Sequence, residues 1–337
     1  MLNFMTDFIF RISLDRAIVN GDNIVINISD KDLLTSMGQP PATSFFNFME
    51  KIIAKLHNNG KLRTSETYRS ALNSFQRFRN QEDICINNID APLMEAYEDW
   101  LLANNVAPNT SSFYMRILRA TYHRAVNQHL AIDRQPFANV YTGHAKTRKR
   151  ALPPELLRRL KAYAAENEAE RFALDLFFLS LYTRGMALVD LAFLPSGSIG
   201  EKYIVYTRRK TGQQLTIRRT PQTDSIFRRN TPHNPHYALP IISHNDGTER
   251  AQFRAQQYRI NRTLKKIARK TNIDNLTMYM ARHSWASMAR LAGVPMETIC
   301  KCMGHHSERT TQIYLKEFDT DTMHDANDQV ISLLEGD

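Results

Sequence analysis

The chain has 337 residues, which is enough for two domains with a hydrophobic core in each. Lysine and arginine total 44 against 34 acidic residues, and this charge of +10 favours a polyanionic partner without separating DNA from RNA or a membrane surface. Three cysteines make no disulfide framework, which fits a reducing cytoplasm, and we expect neither a signal peptide nor a membrane span.

Residues 1–41 form a strand-rich segment of uncertain role. Ile24, Ile26 and Ile28 alternate after the turn signal at 20–22, which predicts a strand. The segment is either a small strand pair or the remnant of an extra DNA-contacting module. Gln39-Pro40-Pro41 then reads as a connector.

The next region, residues 42–140, has the apolar periodicity of four helices. We predict them over 44–56, 67–78 and 93–102, with a fourth after Pro108 that Asn109 or Thr110 caps. Short connections between them predict a compact helical domain, and its aromatic stripes belong to the core.

The polar faces of these helices are basic. Two clusters, one with Arg63 and Arg69 and one with Arg116 and Arg119, are either solvated surface or contacts that straddle a DNA backbone. The basic run at 144–150 then predicts an interdomain linker over 141–152.

A second patterned region follows over 153–318. Pro153 and Pro154 open one helix, and a strongly apolar helix over 168–182 predicts the central core. After an interruption at 183–186 the helical pattern continues to Leu194. Strands at 203–206 and 215–217 flank a turn at 210–212.

Two stretches of this region carry no clear chemistry. Residues 221–249 contain four prolines and are predicted to be loop-rich. Residues 251–270 predict a basic helix, which either faces solvent or lies along DNA.

The stretch 277–314 brings the chemistry-bearing residues together. Gly293, Pro295 and Gly304 divide it into three short helices, which would hold Arg282, His305 and a tyrosine at fixed mutual distances. That tyrosine is Tyr314, on a helix starting near Ser307. A phenol with cationic and imidazole helpers suits attack on a phosphodiester, where charge builds on phosphate oxygens.

A zinc site at the end of this stretch is the competing interpretation. Cys300, Cys302, His305 and His306 are ligand types, but the two cysteines are two positions apart on a predicted helix and point in different directions. We therefore predict no metal site.

Two motifs in this order resemble those of the tyrosine recombinase, or phage integrase, family. YMARHSWAS, which contains Arg282 and His283, resembles the family's HxxR box, and MGHHSERTTQIY resembles its LGH followed by the nucleophilic tyrosine. The spacing from His305 to Tyr314 is that of the family. The resemblance extends over about residues 44–318.

The resemblance implies a mostly α fold with a small antiparallel sheet, made of a helical SAM-like core-binding domain and a catalytic domain. It implies that Tyr314 is the nucleophile and that Arg282 and His305 act on the phosphate. Lys210, on the hairpin, would protonate the leaving 5′ oxygen, and Arg208 and Arg209 would contact phosphates. No cofactor is implied, since the covalent link conserves the bond energy.

The chain departs from the family pattern at two positions. In the frame G-x-R-x-x-E-L, Ala187 stands where the first catalytic arginine belongs, and we assign that role to Arg184, one helical turn upstream. Tyr279 stands in the histidine position of HxxR and is a candidate hydrogen-bond donor. His283 either shares this task or packs its helix.

We therefore expect a site-specific DNA recombinase of the integrase or invertase type, from a mobile element in a bacterial cytoplasm. In the family the C-terminal tail, here 319–337, docks into a neighbouring protomer, which implies a homotetramer on double-stranded DNA, with DNA-bending accessory proteins as further partners. The alternatives are a type IB topoisomerase and a DNA-binding protein of the same fold without catalysis.

Overall fold

The computed structural model describes residues 18–20, 23–25, 43–145 and 151–312. The chain divides into two compact units, Met1–Lys146 and Thr147–Asp337. The described part is mostly helical with small antiparallel strand pairs, so the predicted fold class is confirmed. The domain limits at 140, 152 and 318 stay predictions, and the tail at 319–337 lies outside the described residues.

A short strand pair lies near the N-terminus of the first unit. Strand β1 (Ile18–Asn20) pairs antiparallel with β2 (Asn23–Val25), and Ile18 stands opposite Val25. The predicted strand positions Ile26 and Ile28 and the connector at 39–41 lie outside the described residues.

Four helices build the rest of the first unit: α1 (Phe45–Asn58), α2 (Leu62–Phe78), α3 (Ala91–Ala103) and α4 (Pro108–Asn127). The side chains of Ser44 and Asp90 accept backbone N–H groups at the starts of α1 and α3, which satisfies donors that the helix itself leaves free. Their apolar faces meet in one core, where Phe75 packs edge-on against Tyr97.

The start of α4 differs from the prediction. Ala107 is the residue before the helix and Pro108 is its first residue, so Asn109 and Thr110 lie inside the helix. The Asn109 amide instead exchanges two hydrogen bonds with the backbone of Ala145, at 2.9 and 3.1 Å.

The second unit holds the remaining elements: α5 (Pro154–Ala162), α6 (Glu168–Tyr182), α7 (Leu188–Ala192), β3 (Tyr203–Thr207), β4 (Gln214–Arg218), α8 (Pro221–Arg229), α9 (Glu249–Lys270), α10 (Met278–Leu291), α11 (Met296–Cys302) and α12 (Glu308–Gln312). Helix α6 is buried along almost its whole length and packs against α8, α9 and α10. Its predicted role as central core is therefore confirmed. No helix among the described residues is long and apolar enough to cross a bilayer.

The loop predicted over 221–249 is wrong in its first part, where α8 forms. Thr220 and Thr223 make a reciprocal capping box, and Pro221 occupies the first turn, where its missing N–H costs nothing. In the last turn of α8, Arg229 donates to Asp175 on α6 at 2.6 Å, which links α8 to the central helix.

Backbone breaks position the elements around the site. The predicted helix over 186–194 is shorter, because Arg184 (φ 59°) and Gly185 (φ 74°) adopt left-handed conformations before α7. Gly293 and Gly304 also have positive φ and follow α10 and α11, as predicted. Leu291, the last residue of α10, is exposed.

Candidate active site

Arg282 lies at the centre of the site and is only 3% exposed. Its helix, α10, begins after Thr277 and carries it one turn in, facing the turn before α7. Nη1 donates to the carbonyl oxygen of Gly185 at 2.6 Å, and Nη2 donates to that of Met303 at 2.6 Å. A buried guanidinium is costly unless it is hydrogen-bonded, so these carbonyls fix the charge in place.

His305 follows the end of α11 and completes this arrangement. Its Nε2 lies 2.9 Å from Arg282 Nη2, and its Nδ1 lies 2.9 Å from the hydroxyl oxygen of Thr311 on α12. Burial lowers the pKa of the ring to about 3, and the positive charges of Arg282, Arg208 and Lys210 push it the same way. The imidazole is therefore neutral at ordinary pH.

Arg208, at the β3–β4 hairpin, is the second buried arginine of the site. Together Arg282 and Arg208 form a buried cationic cluster. Arg208 directly follows β3, is 5% exposed, and donates from Nη1 to the carbonyl oxygen of Gly304. The hydroxyl of Thr211 lies 3.5 Å from the same oxygen. Arg208 is thus buried within the site, and its role as a phosphate contact stays a prediction.

Asp190 is a buried carboxylate of α7 that sequence reasoning gave no role. It accepts the backbone N–H of Arg209 at 3.0 Å. Burial raises the pKa of its carboxyl, while this hydrogen bond and the charges of Arg208 and Arg282 act in the opposite direction. The signal for it was its place in the frame Gly185–Leu191, where the family has an acid.

The Arg209 side chain packs on an aromatic ring. Its guanidinium lies over the Phe193 ring, 4.3 Å from the centroid, a cation–π contact on an otherwise exposed side chain. Its predicted contact with phosphate is untested.

The turn before α7 carries another arginine, Arg184. Arg184 is half-buried, and its charge acts on the buried Tyr206 phenol together with those of Arg208 and Arg282, lowering a pKa that burial raises. Next to it, Gly185 touches α10, since an added Cβ would lie 2.8 Å from Arg282 Cγ. Ala187 directly precedes α7 and supplies no charge.

Lys210 and Tyr279 lie at the exposed edge of the site. Lys210 is at the tip of the β3–β4 hairpin, and its charge lowers the pKa of His305. Tyr279 is 49% exposed and stands edge-on to the buried His283 ring, with centroids 4.8 Å apart. Both side chains are therefore open to solvent, and Tyr279 lies three positions before Arg282 on α10.

Tyr314, the predicted nucleophile, lies outside the described residues. The last described helix, α12, ends at Gln312, and its buried Thr311 bonds to His305. Thr311 was missed by sequence reasoning, because nothing in its local pattern distinguishes it from Thr310. The described residues contain no group of three His, Cys, Asp or Glu side chains placed to hold a metal ion.

The basic residues of the first unit differ in their partners. Arg69 makes a bidentate ion pair with Glu50, through Nη1 and Nη2. The Nη1 of Arg63 lies 3.6 Å from Oε2 of Glu66. Arg116 contacts the ring of His144 at 2.6 Å.

Arg119, the fourth of these arginines, donates to the hydroxyl of Thr142 at 3.1 Å. In the second unit, the exposed face of α9 carries Arg259, Arg262, Lys265, Lys266 and Arg269. Whether any of these side chains contact DNA stays a prediction.

Comparison with known families agrees with this geometry. A model described as phage integrase SAM-like domain matches residues 44–145, and one described as phage integrase family matches residues 153–320. The chain therefore belongs to the phage integrase family of tyrosine recombinases. No curated protein matches it in sequence.

Solved structures resemble it at low sequence identity. A Tn1549 transposon integrase in complex with a circular intermediate DNA gives a TM-score of 0.64 at 13% identity, over 85% of this chain and 99% of that one. A lambda integrase dimer bound to a COC′ core site gives 0.60 at 14%, over 82% and 99%. A lambda integrase tetramer bound to a Holliday junction gives 0.61 at 14%, over 87% and 84%.

Proposed function

We propose that this protein is a site-specific DNA recombinase that cuts and rejoins DNA through a 3′-phosphotyrosyl intermediate on Tyr314. The observation that carries the proposal is the junction at Arg282, where a buried cation, a neutral imidazole and the helix leading to Tyr314 are hydrogen-bonded to one another. Such a junction suits a phosphate, because preorganised donors stabilise the charge that builds on its oxygens.

The proposed step is an in-line displacement at phosphorus. The Tyr314 oxygen bonds to phosphorus and its proton passes to a water molecule, while the P–O5′ bond breaks. Lys210, exposed at the hairpin tip and close enough to act on the His305 ring, supplies a proton to the 5′ oxygen. Rejoining reverses these transfers, so neither ATP nor a metal is consumed.

The remaining site residues support the phosphate. Arg282 and Arg184 provide positive charge, and the partly exposed phenol of Tyr279 donates a hydrogen bond in place of the family's histidine. His305, neutral because burial lowers its pKa to about 3, contributes hydrogen bonding and no charge.

The assembly follows the same reasoning. We propose a homotetramer on double-stranded DNA joined by exchange of the tail at 319–337, with accessory proteins that bend the DNA. A tetramer on a Holliday junction is what one similar lambda integrase structure contains. Whether the reaction integrates, excises or inverts DNA depends on the paired sites.

Covalent trapping tests the chemistry directly. Wild-type protein is incubated, with EDTA and without ATP, with a pool of nicked duplexes carrying randomised arms, and SDS-stable adducts are recovered and sequenced. The wild type is expected to enrich a defined sequence as an adduct, and Tyr314→Phe is expected to form none. Adducts with Tyr314→Phe would overturn the assignment.

A DNA-binding protein without catalysis is the second candidate, which the residues Ala187 and Tyr279 favour. It predicts that the same pool yields a retained sequence but no adduct. A type IB topoisomerase would instead form adducts and relax supercoiled plasmid, without exchanging strands between two copies of the selected site.

A further inference from the structure

Thr311 is a fully buried threonine on α12, three positions before Tyr314 in the sequence. Its hydroxyl oxygen lies 2.9 Å from His305 Nδ1. The other ring nitrogen, Nε2, lies 2.9 Å from Arg282 Nη2. One imidazole thus bridges the central guanidinium and the short helix that precedes the proposed nucleophile.

The partners of this imidazole determine where its proton lies. A guanidinium only donates hydrogen bonds, so Nε2 accepts from Arg282. The ring is neutral, since burial and the nearby cations lower its pKa to about 3, and it carries one N–H. That hydrogen is therefore on Nδ1 and is donated to the Thr311 oxygen.

We propose that Thr311 is a positioning residue whose hydroxyl fixes His305 in the Nδ1–H form and thereby fastens α12 to Arg282. This inference rests on the proposed function, because its consequence for catalysis is the placement of Tyr314. Without the acceptor, the ring could carry its hydrogen on Nε2, which would face the Arg282 donor and disrupt the junction.

A buried threonine also packs, so the two roles have to be separated by substitution. Thr311→Val keeps the shape and removes the hydroxyl, whereas Thr311→Ser keeps the hydroxyl and loses one methyl group. Thr310→Val is the matched control: Thr310 lies on the same helix, and its hydroxyl oxygen is 3.1 Å from that of Ser307, away from His305.

The kinetic test measures the single-turnover rate of adduct formation on the selected nicked duplex, together with the Kd for the same DNA. Thr311→Val is expected to lower the rate about 100-fold, the scale for a misplaced reacting group, with a Kd within about twofold of wild type. Thr311→Ser and Thr310→Val are expected to cleave at near wild-type rates. A Thr311→Val rate equal to wild type, or a Thr311→Ser rate as low as that of Thr311→Val, would overturn the inference.

A spectroscopic test does not depend on catalysis. Imidazole ¹⁵N spectra of the wild type at pH 7, with the His305 signals assigned from their loss in His305→Gln, are expected to show the hydrogen on Nδ1. In Thr311→Val the ring is expected to show a mixture of the Nδ1–H and Nε2–H forms. A wild-type ring with its hydrogen on Nε2 contradicts the inference even if Thr311→Val fails to fold.

The two hypotheses fail in different ways. A wild-type protein that forms no adduct removes the proposed function, and the catalytic role of Thr311 falls with it. A wild type that forms adducts, with Thr311→Val equally fast, removes the role of Thr311 alone.

Discussion

Two arginines, one in each unit, are held in opposite ways. In the second unit, Arg282 is almost fully buried and donates to backbone carbonyl oxygens of Gly185 and Met303. In the first, Arg69 lies half-buried against the carboxylate of Glu50. A carbonyl oxygen fixes a guanidinium without neutralising its charge, whereas a carboxylate fixes the group and also neutralises it. The carbonyl contacts therefore leave the charge of Arg282 in place, and the buried Asp190 carboxylate is one group on which that charge acts.

Removing the central guanidinium should have the largest effect. Arg282→Ala leaves two carbonyl oxygens and the His305 ring without this partner, and we expect adduct formation to fall at least about 10³-fold. The free energy of unfolding should fall by about 3 kcal/mol, measured by urea denaturation. Both measurements use the protein as expressed, with the selected nicked duplex as substrate.

Arg209→Ala is the matched control for this change. Its side chain lies on Phe193 and its backbone N–H, which holds Asp190, is kept. We expect less than about 1 kcal/mol of destabilisation. Equal losses of stability in both variants would remove the contrast between buried and exposed arginines.

Gly185→Ala should have the next largest effect. Its φ of 74° disfavours a side chain, and a Cβ would lie 2.8 and 2.9 Å from Arg282 Cγ and Cα. Backbone strain and overpacking together should cost about 3 kcal/mol. Gly212→Ala has a similar φ of 71° but nothing within 4 Å, so it should cost only about 1–2 kcal/mol. Denaturant unfolding of both variants compares close packing with strain, and equal losses would contradict a close approach at Arg282.

The neutral histidine gives the buried cluster a pH dependence that the exposed arginines lack. The pKa of His305 is about 3 in the fold and about 6.5 when unfolded, so between these values the unfolded chain binds more protons. The free energy of unfolding should therefore fall as pH drops from 6.5 towards 3, by up to about 1.4 kcal/mol per pH unit from this group.

Two histidine variants isolate this contribution. His305→Gln should flatten the pH dependence of unfolding in this window, although it lowers stability overall. His306→Gln, one residue along and exposed, should leave the slope unchanged. A wild-type slope that persists in His305→Gln would assign the linkage to another group.

The smallest effects are expected in the first unit. Arg116 contacts the ring of His144, whereas the charge of Arg69 is offset by the carboxylate of Glu50. If Arg116 contacts a phosphate, Arg116→Ala should weaken DNA binding severalfold and reduce the slope of log K against log salt by about 0.9. Arg69→Ala should leave that slope unchanged, and a wild-type slope in Arg116→Ala would mean that Arg116 contacts no phosphate.

Local signals in the sequence were sufficient for much of the fold. Helix α6 over 168–182 follows from its apolar content, and the breaks at Gly293 and Gly304 follow from glycine's tolerance of positive φ. Helix α8 was missed because prolines suggested a loop. Its capping box uses Thr220 and Thr223, where the common pattern has a glutamate or glutamine at the later position.

The candidate site was predictable only in part. Motif spacing selected Arg282 and His305, which the structure brings together. The carbonyl partners at Gly185, Met303 and Gly304 carry no signal, since every residue has a carbonyl and only the tertiary fold selects which ones converge. The burial of Arg208 was missed for the same reason.

The carbonyl oxygen of Gly304 has a mechanical consequence. It receives the Arg208 guanidinium from the hairpin, and its own residue separates α11 from His305 and α12. A rotation of this peptide group would therefore disturb both the base of the Lys210 turn and the segment that leads to α12. The turn that carries the proposed proton donor and the helix that leads to the proposed nucleophile thus both depend on one peptide group.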